Sequence, residues 1–124
     1  MNTRVTSIKR AQKEAEITRI IAELLRQSSQ EDSKLTEVCI SRSELSANKS
    51  LCVIYFYTTQ GEASFNALRE HLILYKPSVR KVLAQRMPSR YVPDIRFAYD
   101  ARLEKQSRIE TLIAQVSRDL PPSE

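Results

Sequence analysis

Residues 65–87 read FNALREHLILYKPSVRKVLAQRM, a helical pattern with a proline in its middle. Apolar side chains recur at helical spacing through Phe65, Leu68, Leu72 and Tyr75, and again through Val79, Val82, Leu83 and Met87. Pro77 has no backbone N–H, clashes with the turn before it and biases Lys76 away from helical dihedrals. In the first turn of a new helix, however, proline is tolerated. The pattern therefore predicts a helix capped by Ser64, a sharp kink over residues 75–78, and a second helix closed by Pro88.

Working outward, Ile95, Phe97 and Tyr99 alternate with Arg96 and Ala98 after this pair, which predicts a strand ending at Asp100. Before it, Ser50 to Tyr57 is rich in β-branched and aromatic residues and reads as a second strand, with Gly61 marking its exit. A first strand is expected over Leu35 to Ser41, where Thr36, Val38 and Ile40 alternate with Glu37, Cys39 and Ser41. It should pair antiparallel to the second across the polar link 42–49.

From Ser7 to Gln27 the residues Ile17, Ile20, Ile21, Leu24 and Leu25 form the apolar stripe of a core-facing helix, which the polar stretch 28–33 ends. A last amphipathic segment holds Ile109, Leu112, Ile113 and Val116. The fold class is thus α+β, in the order α-β-β-α-kink-α-β, with a three-stranded sheet packed on helices and an extra C-terminal helix. Residues 1–117 are expected to form one domain and 118–124 a disordered tail.

The 124-residue chain carries a net charge of +5 that is unevenly spread. Residues 1–13 contain Arg4, Lys9, Arg10 and Lys13 and no acid; residues 69–96 hold seven bases against Glu70 and Asp94. The two remaining segments are net acidic, so the basic stretches have the distribution of a surface that meets a polyanion. Apolar runs such as 51–57 are far shorter than the roughly 20 residues of a membrane span, and the polar N-terminus has no signal-peptide core, so a cytoplasmic address is expected. Two cysteines, Cys39 and Cys52, are too few for a zinc cluster and are expected to be small buried residues. Pairing of their strands would bring them near enough for a disulfide that the cytosol would keep reduced.

The element order resembles a type II KH domain, and the local residues resemble ribosome-binding factor A. The likeness rests on Val79-Arg80, Leu83-Ala84 and the run Arg90-Tyr91-Val92-Pro93-Asp94-Ile95-Arg96-Phe97-Ala98-Tyr99-Asp100, similar to that family's Arg-x-x-Pro-x-Leu-x-Phe-x-x-Asp. Weaker echoes are Thr36 to Ser41 followed by Glu44-Leu45, and a first helix carrying Arg10; together the likeness spans residues 4–113. Glu44 stands where the family has Asp, the link between the first strands is slightly longer, and Pro77-Ser78 occupies a kink that often holds a small residue and glycine. The resemblance implies a bacterial-type factor that binds the small (30S) ribosomal subunit and assists 16S rRNA maturation.

KH domains clamp nucleic acid with a GXXG loop, which a chain with one glycine cannot contain. Contact with RNA must come from cations that neutralise phosphates. The candidates are Arg80, Lys81, Arg86, Arg90 and Arg96, backed by Lys76, Arg4, Lys9, Arg10 and Lys13, with Tyr91 as a stacking residue. The bland alternative is a solvated helix face; Arg80 has the further option of pairing with a carboxylate such as Asp100 or Glu70, a role that can coexist with RNA contact on one surface. Phe56 and Phe97 are assigned to the core. The single His71 lies mid-helix with no nucleophile or carboxylate constellation around it in sequence, so neither catalysis, a metal nor a cofactor is expected. A monomer is expected. Two other readings fit the same residues: a KH-like protein-interaction adaptor without nucleic-acid binding, and a generic RNA-binding module.

Overall fold

In the computed structural model, which describes residues 3–87 and 92–119, the helical run around Pro77 is broken in two. Helix α2 (Glu62–Ile73) and helix α3 (Lys76–Arg86) meet at a turn formed by Leu74 and Tyr75. In an unbroken helix the Pro77 ring would clash with the carbonyl of Ile73, four residues back. Instead α2 tightens at its end, with the Leu74 N–H donating to His71 O at 3.2 Å and the Tyr75 N–H to Leu72 O at 2.9 Å. The Val79 N–H then donates to Tyr75 O at 2.9 Å and opens α3. The break falls at the N-terminal edge of the expected span because Pro77 belongs to the first turn of α3, where no backbone donor is needed.

Ser64 does not cap α2. Gly61 takes that position with φ 93 and ψ 176, a conformation that side-chain-bearing residues avoid, which leaves Ser64 inside the first turn.

The helix pair is the crossover that parallel strand pairing requires. The three strands β1 (Cys39–Leu45), β2 (Leu51–Tyr57) and β3 (Asp94–Tyr99) lie in the order β1-β2-β3, with β1–β2 antiparallel and β2–β3 parallel. The first strand starts four residues later than its alternation predicts. Asp32 accepts a hydrogen bond from the Lys34 N–H at 3.2 Å, and the Thr36 hydroxyl donates to Ser33 O at 2.6 Å. These local bonds wind Ser33–Glu37 into a short 3-10 helix that buries Leu35. The strand then runs past Ser41, because an irregularity between Ile40 and Arg42 shifts the register and turns Ser43 and Leu45 inward.

This register also corrects the cysteines. Cys39 faces Tyr57 and Cys52 faces Leu45, at opposite ends of the ladder, so no disulfide can form; Cys39 is exposed and Cys52 buried. Burial pushes the Cys52 thiol up to about 12, with a smaller push from Glu14, which makes it an inert packing residue.

Helix α1 (Thr3–Ser28) lays Ile17, Ile20 and Ile21 on the face of the sheet that presents Cys52, Ile54, Phe56, Ile95 and Phe97. Phe56 sits at the centre, edge-on to Phe97 at 5.4 Å between centroids and stacked with Phe65 of α2 at 6.1 Å. Val79 and Leu83 of α3 complete this core. Polar pairs fix α1 along the outer edge of β1. Glu14 accepts from the Leu45 N–H at 2.6 Å, and the Thr18 and Ser43 hydroxyls lie 2.8 Å apart, which occupies part of an exposed strand edge.

The last helix, α4 (Ala101–Asp119), begins at Asp100, a buried carboxylate whose Oδ1 accepts from the N–H groups of Arg102 and Leu103 at 3.1 and 3.3 Å. Its Oδ2 accepts from the Ser41 hydroxyl at 2.5 Å and from Arg42 Nε at 3.2 Å, which ties the bulge of β1 to the root of α4. Burial raises the Asp100 carboxyl, but these bonds outweigh it and hold the group below the usual carboxylate value. α4 continues through Asp119, two residues into the segment expected as tail; residues 120–124 lie outside the described residues. Among the described residues no helix is long and apolar enough to cross a membrane.

Candidate nucleic-acid interface

The apolar positions of α3 determine where its cations go. Val79 and Leu83 face the core, so Arg80 and Lys81 project from the opposite side and are exposed. Lys76, one turn before Arg80, lays its stem inward, with its ammonium 5.9 Å from the centroid of the Phe97 ring. Arg86 turns toward α1 instead, where its guanidinium bonds Glu23 at 2.9 Å. This bridge joins the two helices, and Arg86 therefore brings less free charge to the surface than its sequence position suggested.

Helix α1 adds the second group. Lys9 is exposed, Arg10 and Lys13 are half-buried, and Lys13 stands over a small apolar cleft lined by Ile17, Leu83 and Met87. On the other side of that cleft lies Lys49, in the β1–β2 turn at φ 61. Lys49 was missed from sequence because a lone lysine in a turn carries no periodic signal; the folded hairpin alone brings it to the basic residues of α1.

The predicted cations therefore separate into two surfaces. Lys76, Arg80, Lys81, Lys9, Arg10 and Lys13 belong to the helical layer, with Arg86 at the seam between α1 and α3. Arg96 does not join them. In the ladder it aligns with Val53 and through it with Glu44, on the face of the sheet turned away from the helices. A strand residue flanked by the buried Ile95 and Phe97 must point the other way, so the alternation that made Arg96 solvent-facing also removed it from the kinked-helix surface. Arg90 and Tyr91 lie outside the described residues, as does the side chain of Arg4.

Two carboxylate arrangements were not anticipated. Arg80 pairs with neither Asp100 nor Glu70. Asp100 is engaged by Ser41 and Arg42, and the Arg42 guanidinium also bridges to Glu44 while lying 3.9 Å over the Tyr55 ring. His71 is not isolated: its Nε2 bonds Asp32 Oδ2, which also accepts from the Tyr75 hydroxyl at 2.6 Å. These bonds from Tyr75 and His71 hold the Asp32 carboxyl below its usual range, and the same contact raises Tyr75. Sequence reading took the stretch around Asp32 for a helix stop, and nothing in the residue order joins it to a histidine 39 positions away.

Comparison with known proteins adds three kinds of match. The family model described as ribosome-binding factor A matches residues 9–113. A Geotalea daltonii protein named ribosome-binding factor A is 31% identical over 109 residues, covering 87% of this chain and 88% of the relative. Among solved structures, a Thermotoga maritima protein described as a candidate ribosome binding factor A superposes with a TM-score of 0.65 at 28% identity, over 73% of this chain and 85% of the other. The ribosome-binding factor A crystal structure from Thermus thermophilus superposes with a TM-score of 0.61 at 23% identity, over 73% of this chain and 93% of the other, and supports the fold.

Proposed function

This chain belongs to the ribosome-binding factor A family, and on that premise we propose that it binds the small ribosomal subunit through 16S rRNA phosphates and assists 16S rRNA maturation. The observation that carries the reading is the shared helical layer, in which the cations of α3 and of the N-terminal half of α1 lie on the same side of the sheet. Arg80 and Lys81 supply exposed, solvated charge, and Lys13 and Lys49 supply charge held over an apolar cleft. Binding in this way needs no glycine loop, no cofactor and no bond-making step. The protein acts as a monomer in the cytoplasm by favouring one rRNA conformation over its competitors, and it shifts that equilibrium by its differential affinity.

Co-sedimentation with purified small subunits tests this directly. Each phosphate contact adds about 0.7 to 0.9 to the slope of log affinity against log salt. The charge-reversed pair Arg80→Glu and Lys81→Glu should abolish co-sedimentation at moderate salt while leaving the thermal melt within a few degrees of wild type. Binding that ignores salt, or that survives the double reversal, rejects the basic layer as the interface.

A second reading, the protein-interaction adaptor, has one observation in its favour: Ile109, Leu112, Ile113 and Val116 form an exposed apolar stripe on α4. It predicts association that persists at high salt and is lost on substitution of Leu112 by Lys.

A further inference from the structure

Pro77 prevents the hydrogen-bond ladder of α2 from continuing into α3, so the backbone alone does not define the angle between the two helices. Something else must. At their junction Asp32 bonds two side chains at once: Tyr75, the N-cap residue of α3, and His71, in the last turn of α2. The other oxygen of the same carboxylate holds the Lys34 N–H at 3.2 Å and so belongs to the short helix that follows α1. The His71 and Tyr75 rings meet edge-on, with centroids 5.9 Å apart. Three segments are thereby joined at one carboxylate.

Electrostatics makes the placement informative. A carboxylate next to the start of a cation-bearing helix opposes the binding of a polyanion by its charge, so any favourable effect of Asp32 on that binding must come from the positions of the side chains it holds. We propose that Asp32, His71 and Tyr75 form a positioning clamp that sets the angle between α2 and α3, and thereby the direction in which Lys76 and Arg80 present their charge to RNA. This inference rests on the rRNA-binding reading above.

The test exploits a conflict of sign. Asp32→Asn removes a negative charge near the basic layer, which by Coulomb attraction alone would tighten binding to RNA. The clamp predicts the reverse: affinity for purified small subunits falls roughly fivefold or more, the lower end of ordinary coupling between sites, and the slope against salt becomes shallower. Glu31→Gln, which neutralises the neighbouring acid, should bind as well as wild type or better. Tyr75→Phe keeps the ring and loses the hydroxyl, and it should weaken binding in the same direction even if the asparagine variant folds poorly. Hydrogen exchange at the Leu74 and Tyr75 amides should accelerate in both clamp variants. Clamp variants that bind as tightly as wild type with an unchanged salt slope overturn the clamp alone. Wild-type protein that fails to bind small subunits overturns the function proposed above, and the clamp's role in binding with it.

Discussion

Along α1 the apolar side chains Ile17, Ile20, Ile21 and Leu24 recur at i, i+3, i+4 and i+7, and along α4 Ile109, Leu112, Ile113 and Val116 repeat that spacing. Ile17 and Ile21 are each 1% exposed, whereas Ile109 is 56% and Leu112 60% exposed. The difference lies in what each helix finds beside it. α1 meets a sheet face lined with Ile54, Phe56 and Ile95, and polar bonds from Glu14 and Thr18 to β1 hold it there. α4 is fixed at its first turn by Asp100, and its apolar stripe then runs on without cover from the described residues. Periodicity reports a helix's capacity to bury one face; burial itself requires a surface to receive it.

The largest effect that tests this contrast is Ile21→Ala, which should destabilise the fold by about 3 kcal/mol in urea titration through lost transfer energy and the cavity left behind. Next comes Asp100→Ala, which removes the cap of α4 and leaves the Ser41 hydroxyl and Arg42 without their buried acceptor. About 2 kcal/mol should be lost, with faster hydrogen exchange at the Arg102 and Leu103 amides. Because the folded protein holds the Asp100 carboxyl below the usual carboxylate value, the unfolded chain takes up its proton first as pH falls. The stabilisation is therefore complete above the usual value near 3.8 and is lost as pH drops through it toward the folded one. The urea midpoints of wild type and Asp100→Asn should accordingly differ at neutral pH and draw together near pH 3. Smallest of all, Leu112→Ala should change stability by no more than about 0.5 kcal/mol; a loss comparable to that of Ile21→Ala would show that the stripe of α4 is covered in solution.

The legible parts of the fold were those in which local chemistry and burial agree. Pro77 marked the helix break, and the alternation of Ile95, Phe97 and Tyr99 marked β3. The density of β-branched and aromatic residues over 51–57 marked the central strand. The first strand misled because Leu35 and Val38, which are both buried, suit an extended segment as well as a short 3-10 helix followed by a strand. The bonds of Asp32 and Thr36 decided between them. Of the candidate interface, the cations of α1 and α3 were readable as two charge runs, but helical spacing orders side chains only within one helix and could not bring the two runs together. Lys49, the exclusion of Arg96 and the Asp32–His71–Tyr75 cluster were not readable, since each depends on which segments meet across the fold.

By itself the order of residues determined the long helices, the central and last strands, the interruption at Pro77 and the uneven placement of positive charge, because dihedral restriction, side-chain period and ionisation act over a few neighbouring positions. Only the tertiary structure decided which apolar stripe is buried, which cations share a surface and which carboxylate ties the kink. Those outcomes depend on contacts between residues tens of positions apart, and a contact of that kind exists only once the chain has closed on itself.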